Sequence, residues 1–235
     1  MSLVLTETDG GIATLWLNRP DLHNAFDDGL IAEVTSAIDS LASDTASRVV
    51  IIAGKGKSFS AGADLGWMKR MAGYSLEQNE ADANRLADML HKLNTMPKPT
   101  IAAVQGAAMG GGVGLCAACD IGIAASDAVF ALSEAKLGLI PAVISPYVIE
   151  AIGARAARRY MLTAERFDAA TAEQLGLVSA VVAPDQLMTE ARRIAGILLQ
   201  NGPQAVREAK QLVAYVGGQP NDGALRAETA RRIAR

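Results

Sequence analysis

The stretch "AAVQGAAMGGGVGLCAACD", Ala102 to Asp120, decides how this chain is read. It holds five glycines and one charge, and three of the glycines, Gly110 to Gly112, are consecutive. Glycine inside a buried helix or strand costs roughly 0.5–1 kcal/mol against alanine, so bare backbone must serve some purpose here. Thr100 to Cys119 carries no charge at all, a length that also flags a membrane helix. Alanine, glycine and Gln105 are poor drivers of insertion, so a buried core segment is expected and no membrane association.

Working outward, "TIAAVQG" and "DIGIAA" on either side read as buried strands. Upstream, "LVLTETDGGIATLWLN" has two apolar-alternating runs joined by Asp9-Gly10-Gly11, the pattern of a hairpin. Leu30, Ile31, Val34, Ile38 and Leu41 recur at helical spacing, with Asp27 or Asp28 as N-cap. "RVVIIAG" is a strand covered on both faces, followed by the loop "KGKSFSAGAD". A helix is expected from Leu76 to Met96, stopped by "MPKP". After Ser145 three amphipathic segments alternate with a single short strand at "LVSAVV". The expectation is an α/β spiral core over residues 1–142 and a helical C-terminal region over 143–235 with one further short strand.

Composition bounds the function. The chain has 235 residues, half of them hydrophobic, a net charge of -3 and two cysteines. With no basic stripe, nucleic acid is not an expected partner. Two cysteines exclude a disulfide scaffold and, with no basic and apolar leader in "MSLVLTETDGG", point to the cytoplasm.

Two glycine-rich nucleotide motifs fail by count. A Walker loop read from Gly106 offers Gly112 where lysine must stand, and a dinucleotide fingerprint read from Gly110 offers Leu115 as its third glycine. Cys116-x-x-Cys119 lacks a second pair, and His23 and His91 are distant in sequence, so a metal is not expected and two packed thiols are. What remains is close approach of backbone to a ligand. A glycine turn entering a helix presents unpaired N–H groups. "FSAGAD", Phe59 to Asp64, is a second small-residue turn after a buried strand, with Asp64 placed to cap the next helix. Taken alone each loop reads as a tight turn; two on successive βα units would together supply the donors of an oxyanion hole for a thioester or acyl enolate.

These residues resemble the crotonase (enoyl-CoA hydratase/isomerase) superfamily over nearly the whole chain. The motifs that carry the likeness are "NRPDLHNAF", "FSAGADLGWM", "KPTIAAVQGAAMGGGVGLCAACDIGIAASDAVFALSEAKLGLIP" and "LTAERFDAATAEQLGLV". The resemblance implies a ββα spiral fold and a hydratase acting on 2-enoyl-CoA, with coenzyme A arriving as part of the substrate and no separate cofactor. It assigns the oxyanion donors to the N–H groups of Ala63 and Gly111 and the acid/base to Glu134. Ala61, Gly62, Ala63, Asp64 and Leu65 would line the coenzyme A side, with Gly110 and Gly111 at the thioester. Met68, Trp67 and Tyr147 would line the acyl pocket. The family's first hydratase acid falls on Gly114: either the loss is tolerated and the chemistry shifts elsewhere, or the missing side chain makes room for substrate or water. The run Ala142 to Pro146 resembles hydratases of branched, carboxylated acyl chains. A Δ3,Δ2-enoyl-CoA isomerase and a non-catalytic acyl-CoA-binding homologue are the alternatives. A homotrimer or homohexamer is implied.

Overall fold

The computed structural model describes residues 2–234. The chain opens with strands β1 (Val4–Asp9) and β2 (Ile12–Leu17), the antiparallel hairpin expected at Asp9-Gly10-Gly11. Helix α1 (Asp28–Ser43) follows, capped by Asp27, whose carboxylate accepts from Leu30 N–H. Strand β3 (Val49–Gly54) leads through a loop to α2 (Leu65–Met71), and α3 (Leu76–Asn94) begins at a capping box formed by Ser75 and Gln78. Then come β4 (Thr100–Val104), β5 (Ala107–Met109), α4 (Gly111–Ala117), β6 (Ile121–Ala125) and β7 (Val129–Ala131). The remainder is α5 (Ser145–Thr163), β8 (Arg166–Asp168), α6 (Ala169–Leu175), β9 (Ala180–Val182), α7 (Leu187–Gln200), α8 (Pro203–Val216) and α9 (Gly223–Ile233).

Six strands form the main sheet in the order β1-β2-β3-β4-β6-β9, parallel from β2 onward. β3 and β4 are buried at every residue because both faces of the sheet are covered. On one face Ile51, Ile101 and Ile123 pack against Leu187, Ala191 and Ala195 of α7. On the other, Leu15, Val50, Ile52 and Val104 join α1 and α3 through Leu30, Ile38, Met89 and Leu93. A second sheet, β5-β7-β8, stands beside the first.

Residues after 142 contribute two strands where the sequence led us to expect one: β8, which pairs with β7, and β9, which closes the edge of the main sheet. β9 is the strand expected at "LVSAVV"; β8, at three residues, is too short for its pattern to stand out from its helical neighbours. The C-terminal region therefore also builds both sheets, and α7 covers one of them.

Candidate active site

In parallel sheets ligands gather beyond the carboxyl ends of the strands, and here the loops leaving β3 and β5 converge. Residues 59–60 run alongside β5: Phe59 N–H donates to Gln105 O at 2.8 Å, Ser60 N–H to Ala107 O at 3.0 Å, and Met109 N–H to Ser60 O at 2.9 Å. Glycine is what lets the loops touch. A Cβ at Gly62 would meet Met109 O at 2.9 Å, and one at Gly112 would meet Ser60 O at 2.7 Å. Gly110 also adopts φ +48, ψ −112, backbone that side-chain-bearing residues avoid.

The pairing fixes two donors. Phe26 N–H donates to Gly62 O at 2.7 Å and Asp64 N–H to Phe26 O at 2.8 Å. In that parallel bridge the N–H of Ala63 faces away from Phe26. Gly111 is the first residue of α4, so its N–H has no partner within the helix. Both loops line one cavity of about 800 Å³.

A turn near the start of the chain props this loop. His23 and Asn24 both sit in the left-handed region, at φ 51 and 54. Asn24 is fully buried; it accepts from Arg19 N–H at 2.8 Å and donates to Lys55 O and Ser58 O at 3.0 and 2.8 Å. Arg19 pairs with the carboxylates of both Asp27 and Asp64, at 3.0 and 3.1 Å, and so clamps the N-caps of α1 and α2 together. Trp67 N–H, donating to Asp64, holds that carboxyl below the usual range, with Arg19 adding to the effect.

Glu134 opens a short 3₁₀ turn, Glu134–Leu137, on the cavity wall. Burial pushes its carboxyl pKa up, and Oε2 has no hydrogen-bond partner among the described residues. A desolvated carboxyl whose pKa is moved upward is suited to general acid/base work.

Of the residues singled out from sequence, Ala61, Gly62, Ala63, Asp64, Leu65, Trp67, Met68, Gly110, Gly111 and Glu134 all line this cavity. Tyr147 is not among its lining residues; it packs half-buried against the core on α5. Cys116 and Cys119 are buried in the core, with the Cys116 thiol pushed up to about 12 by desolvation. Among the described residues no group of three or more His, Cys, Asp or Glu could hold a metal ion, and no helix is long and apolar enough to cross a membrane.

Gly114 departs from expectation. Its missing side chain leaves no room, because Ile144 fills the place: a Cβ there would stand 2.2 Å from Ile144 Cγ2 and 2.7 Å from its Cβ. Sequence reading also missed Asp82, a buried carboxylate on the cavity wall that accepts from Trp67 Nε1 at 3.3 Å and pairs with Arg85. Its signal was a polar residue on the buried face of α3, visible only once the helix phase is known.

Comparison with known proteins gives the family. The family model described as enoyl-CoA hydratase/isomerase matches residues 7–228. The crotonyl-CoA hydratase of Syntrophomonas wolfei is 37% identical over 210 residues, covering 88% of this chain and 79% of its own. The mitochondrial Delta(3,5)-Delta(2,4)-dienoyl-CoA isomerase of Dictyostelium discoideum is 36% identical over 209 residues, covering 85% and 71%. An enoyl-CoA hydratase from Shewanella pealeana superposes with a TM-score of 0.96 at 45% identity, over 99% of this chain and 87% of that one. The chain belongs to the enoyl-CoA hydratase/isomerase (crotonase) family of enzymes.

Proposed function

We propose that the protein adds water across the double bond of a 2-enoyl-CoA thioester. The observation that carries this reading is one cavity shared by the unengaged N–H groups of Ala63 and Gly111 and the desolvated carboxyl of Glu134. The thioester oxygen accepts from both N–H groups. Ionised Glu134 takes a proton from water as its oxygen bonds to the β-carbon, and the double-bond electrons move onto the carbonyl oxygen as an enolate. The two donors stabilise that charge where it develops. Glu134 then returns the proton to the α-carbon, which restores the carbonyl and the carboxylate. One group thus gives and takes one proton, and the product gains one water.

Coenzyme A enters as part of the substrate along Ala61 to Leu65. The resemblance to hydratases of branched, carboxylated chains extends the reading to substituted acyl groups. We infer a homotrimer or a pair of trimers, supported by the exposed apolar side chains of Leu162, Val213 and Ile233 on α5, α8 and α9. Sedimentation as a stable monomer would remove that inference.

A second reading, a Δ3,Δ2-enoyl-CoA isomerase, is favoured by Ile144. Hydrocarbon stands where a second acid would hold water, while a single carboxyl suffices to carry a proton from the α- to the γ-carbon. Ultraviolet absorbance of the conjugated thioester separates the two. Loss of conjugation from a 2-enoyl-CoA supports hydration, whereas gain of conjugation from a 3-enoyl-CoA supports isomerisation. Activity that survives Glu134→Gln on both substrates would sink both readings, and acyl-CoA binding without turnover would leave a binding protein.

A further inference from the structure

Gly111 and Gly114 lie three residues apart on α4, hence on one face of the helix, about 4.5 Å apart along its axis. With the thioester oxygen at Gly111 N–H, the patch over Gly114 adjoins the acyl carbons. That patch is the side chain of Ile144. It is 3% exposed, lines the same cavity as Glu134, and seats Cγ2 over the bare Cα of Gly114. Two constraints keep it there. Ile144 is the N-cap of α5, its carbonyl accepting from Val148 N–H at 3.1 Å, and a β-branched side chain has few rotamers to leave by.

We propose that Ile144 is the specificity-determining residue of the acyl site, receiving an alkyl branch on the carbons next to the thioester, so that branched acyl-CoA thioesters bind in preference to straight-chain ones. The inference rests on the reading that the thioester carbonyl lies between Ala63 and Gly111. A methyl branch laid against Ile144 leaves water for hydrocarbon, which favours the branched ligand by about fourfold. The interlock with Gly114 makes the two positions interdependent: position 114 can carry a side chain only when residue 144 gives up its own.

The test is calorimetric binding of two saturated thioesters, butyryl-CoA and isovaleryl-CoA, with free coenzyme A as control. Wild type binds isovaleryl-CoA about fourfold tighter than butyryl-CoA. Ile144→Ala loses that preference and Ile144→Val keeps part of it, both with coenzyme A binding unchanged. Gly114→Ala binds both thioesters weakly and melts earlier, and Gly114→Ala with Ile144→Gly recovers both properties. Equal binding by wild type, a preference that survives Ile144→Ala, or an equal loss of coenzyme A itself in that variant overturns the proposal. Turnover of the matching enoyl thioesters is read separately. A preference in binding without turnover leaves this inference standing and removes the hydration reading.

Discussion

The carboxyl of Glu134 rests against the bare Cα of Gly110: a side-chain carbon placed on Gly110 would stand 2.7 Å from Glu134 Oε1. The residue before Gly111, the proposed donor, is thus also the residue that makes space for Glu134, the proposed acid/base. Gly110→Ala forces the methyl group into the carboxyl and holds an alanine at φ +48. We expect a stability loss of about 1–3 kcal/mol and a fall in kcat larger than any rise in KM, measured by thermal unfolding and steady-state kinetics.

Glu134→Gln removes the proposed proton carrier but keeps its shape. The expected outcome is a kcat lower by about 10²–10⁴-fold with KM little changed. Because burial raises the carboxyl pKa above its ordinary 4.5, the acidic limb of the wild-type rate profile lies above that value. The rate falls as pH drops through the raised pKa, since only the ionised form takes a proton from water.

The same shift affects stability with a definite sign. A carboxyl whose folded-state pKa is raised favours the folded chain when protonated, and that advantage is lost as pH rises through the folded-state value. Glu134→Gln therefore melts higher than wild type at neutral pH. The gain shrinks with acidification and disappears below the ordinary 4.5. Unchanged melting across that range would contradict the burial of this carboxyl.

Asn24→Ala leaves Arg19 N–H, Lys55 O and Ser58 O without their buried partner and removes a residue tolerant of left-handed backbone. A loss of about 3 kcal/mol is expected. Since Ala61 N–H donates to His23 O beside it, KM for the thioester should rise as well.

The two thiols give a chemical readout. Cys116 and Cys119 are buried, and desolvation raises both pKa values, Cys119 well above the usual thiol range. Neither should be alkylated by iodoacetamide in the native protein at pH 8, and both should react after denaturation.

Much of this architecture is written in local pattern. The hairpin turn at Asp9-Gly10-Gly11, the Asp27 cap and the all-apolar β3 each follow from residues close together in sequence. That Ala63, Gly111 and Glu134 share one cavity was foreshadowed, the first two by small-residue turns and the third by a family motif. Ile144 over Gly114 was not, since nothing near either residue states that they meet; only the return of the chain into α5 brings them together. The second sheet was hidden for a similar reason. Its strands are three residues long and come from segments far apart in sequence. Asp82 carried no mark of its own in the sequence; its burial depends on Trp67, whose indole N–H it accepts, and Trp67 lies on another helix.

Helix α5 breaks at Gly153, where φ 74 and ψ 154 interrupt its course. The half before the break follows Ile144, and the half beyond it supplies Tyr160, whose ring packs on Phe167 of β8. Since the two halves are not one rigid rod, substitutions that tilt the first turn toward or away from α4 need not be transmitted to the small sheet. The break makes the cavity wall at Ile144 a separable part: the residue over position 114 can change while the sheets and the Ala63 and Gly111 N–H groups stay in place.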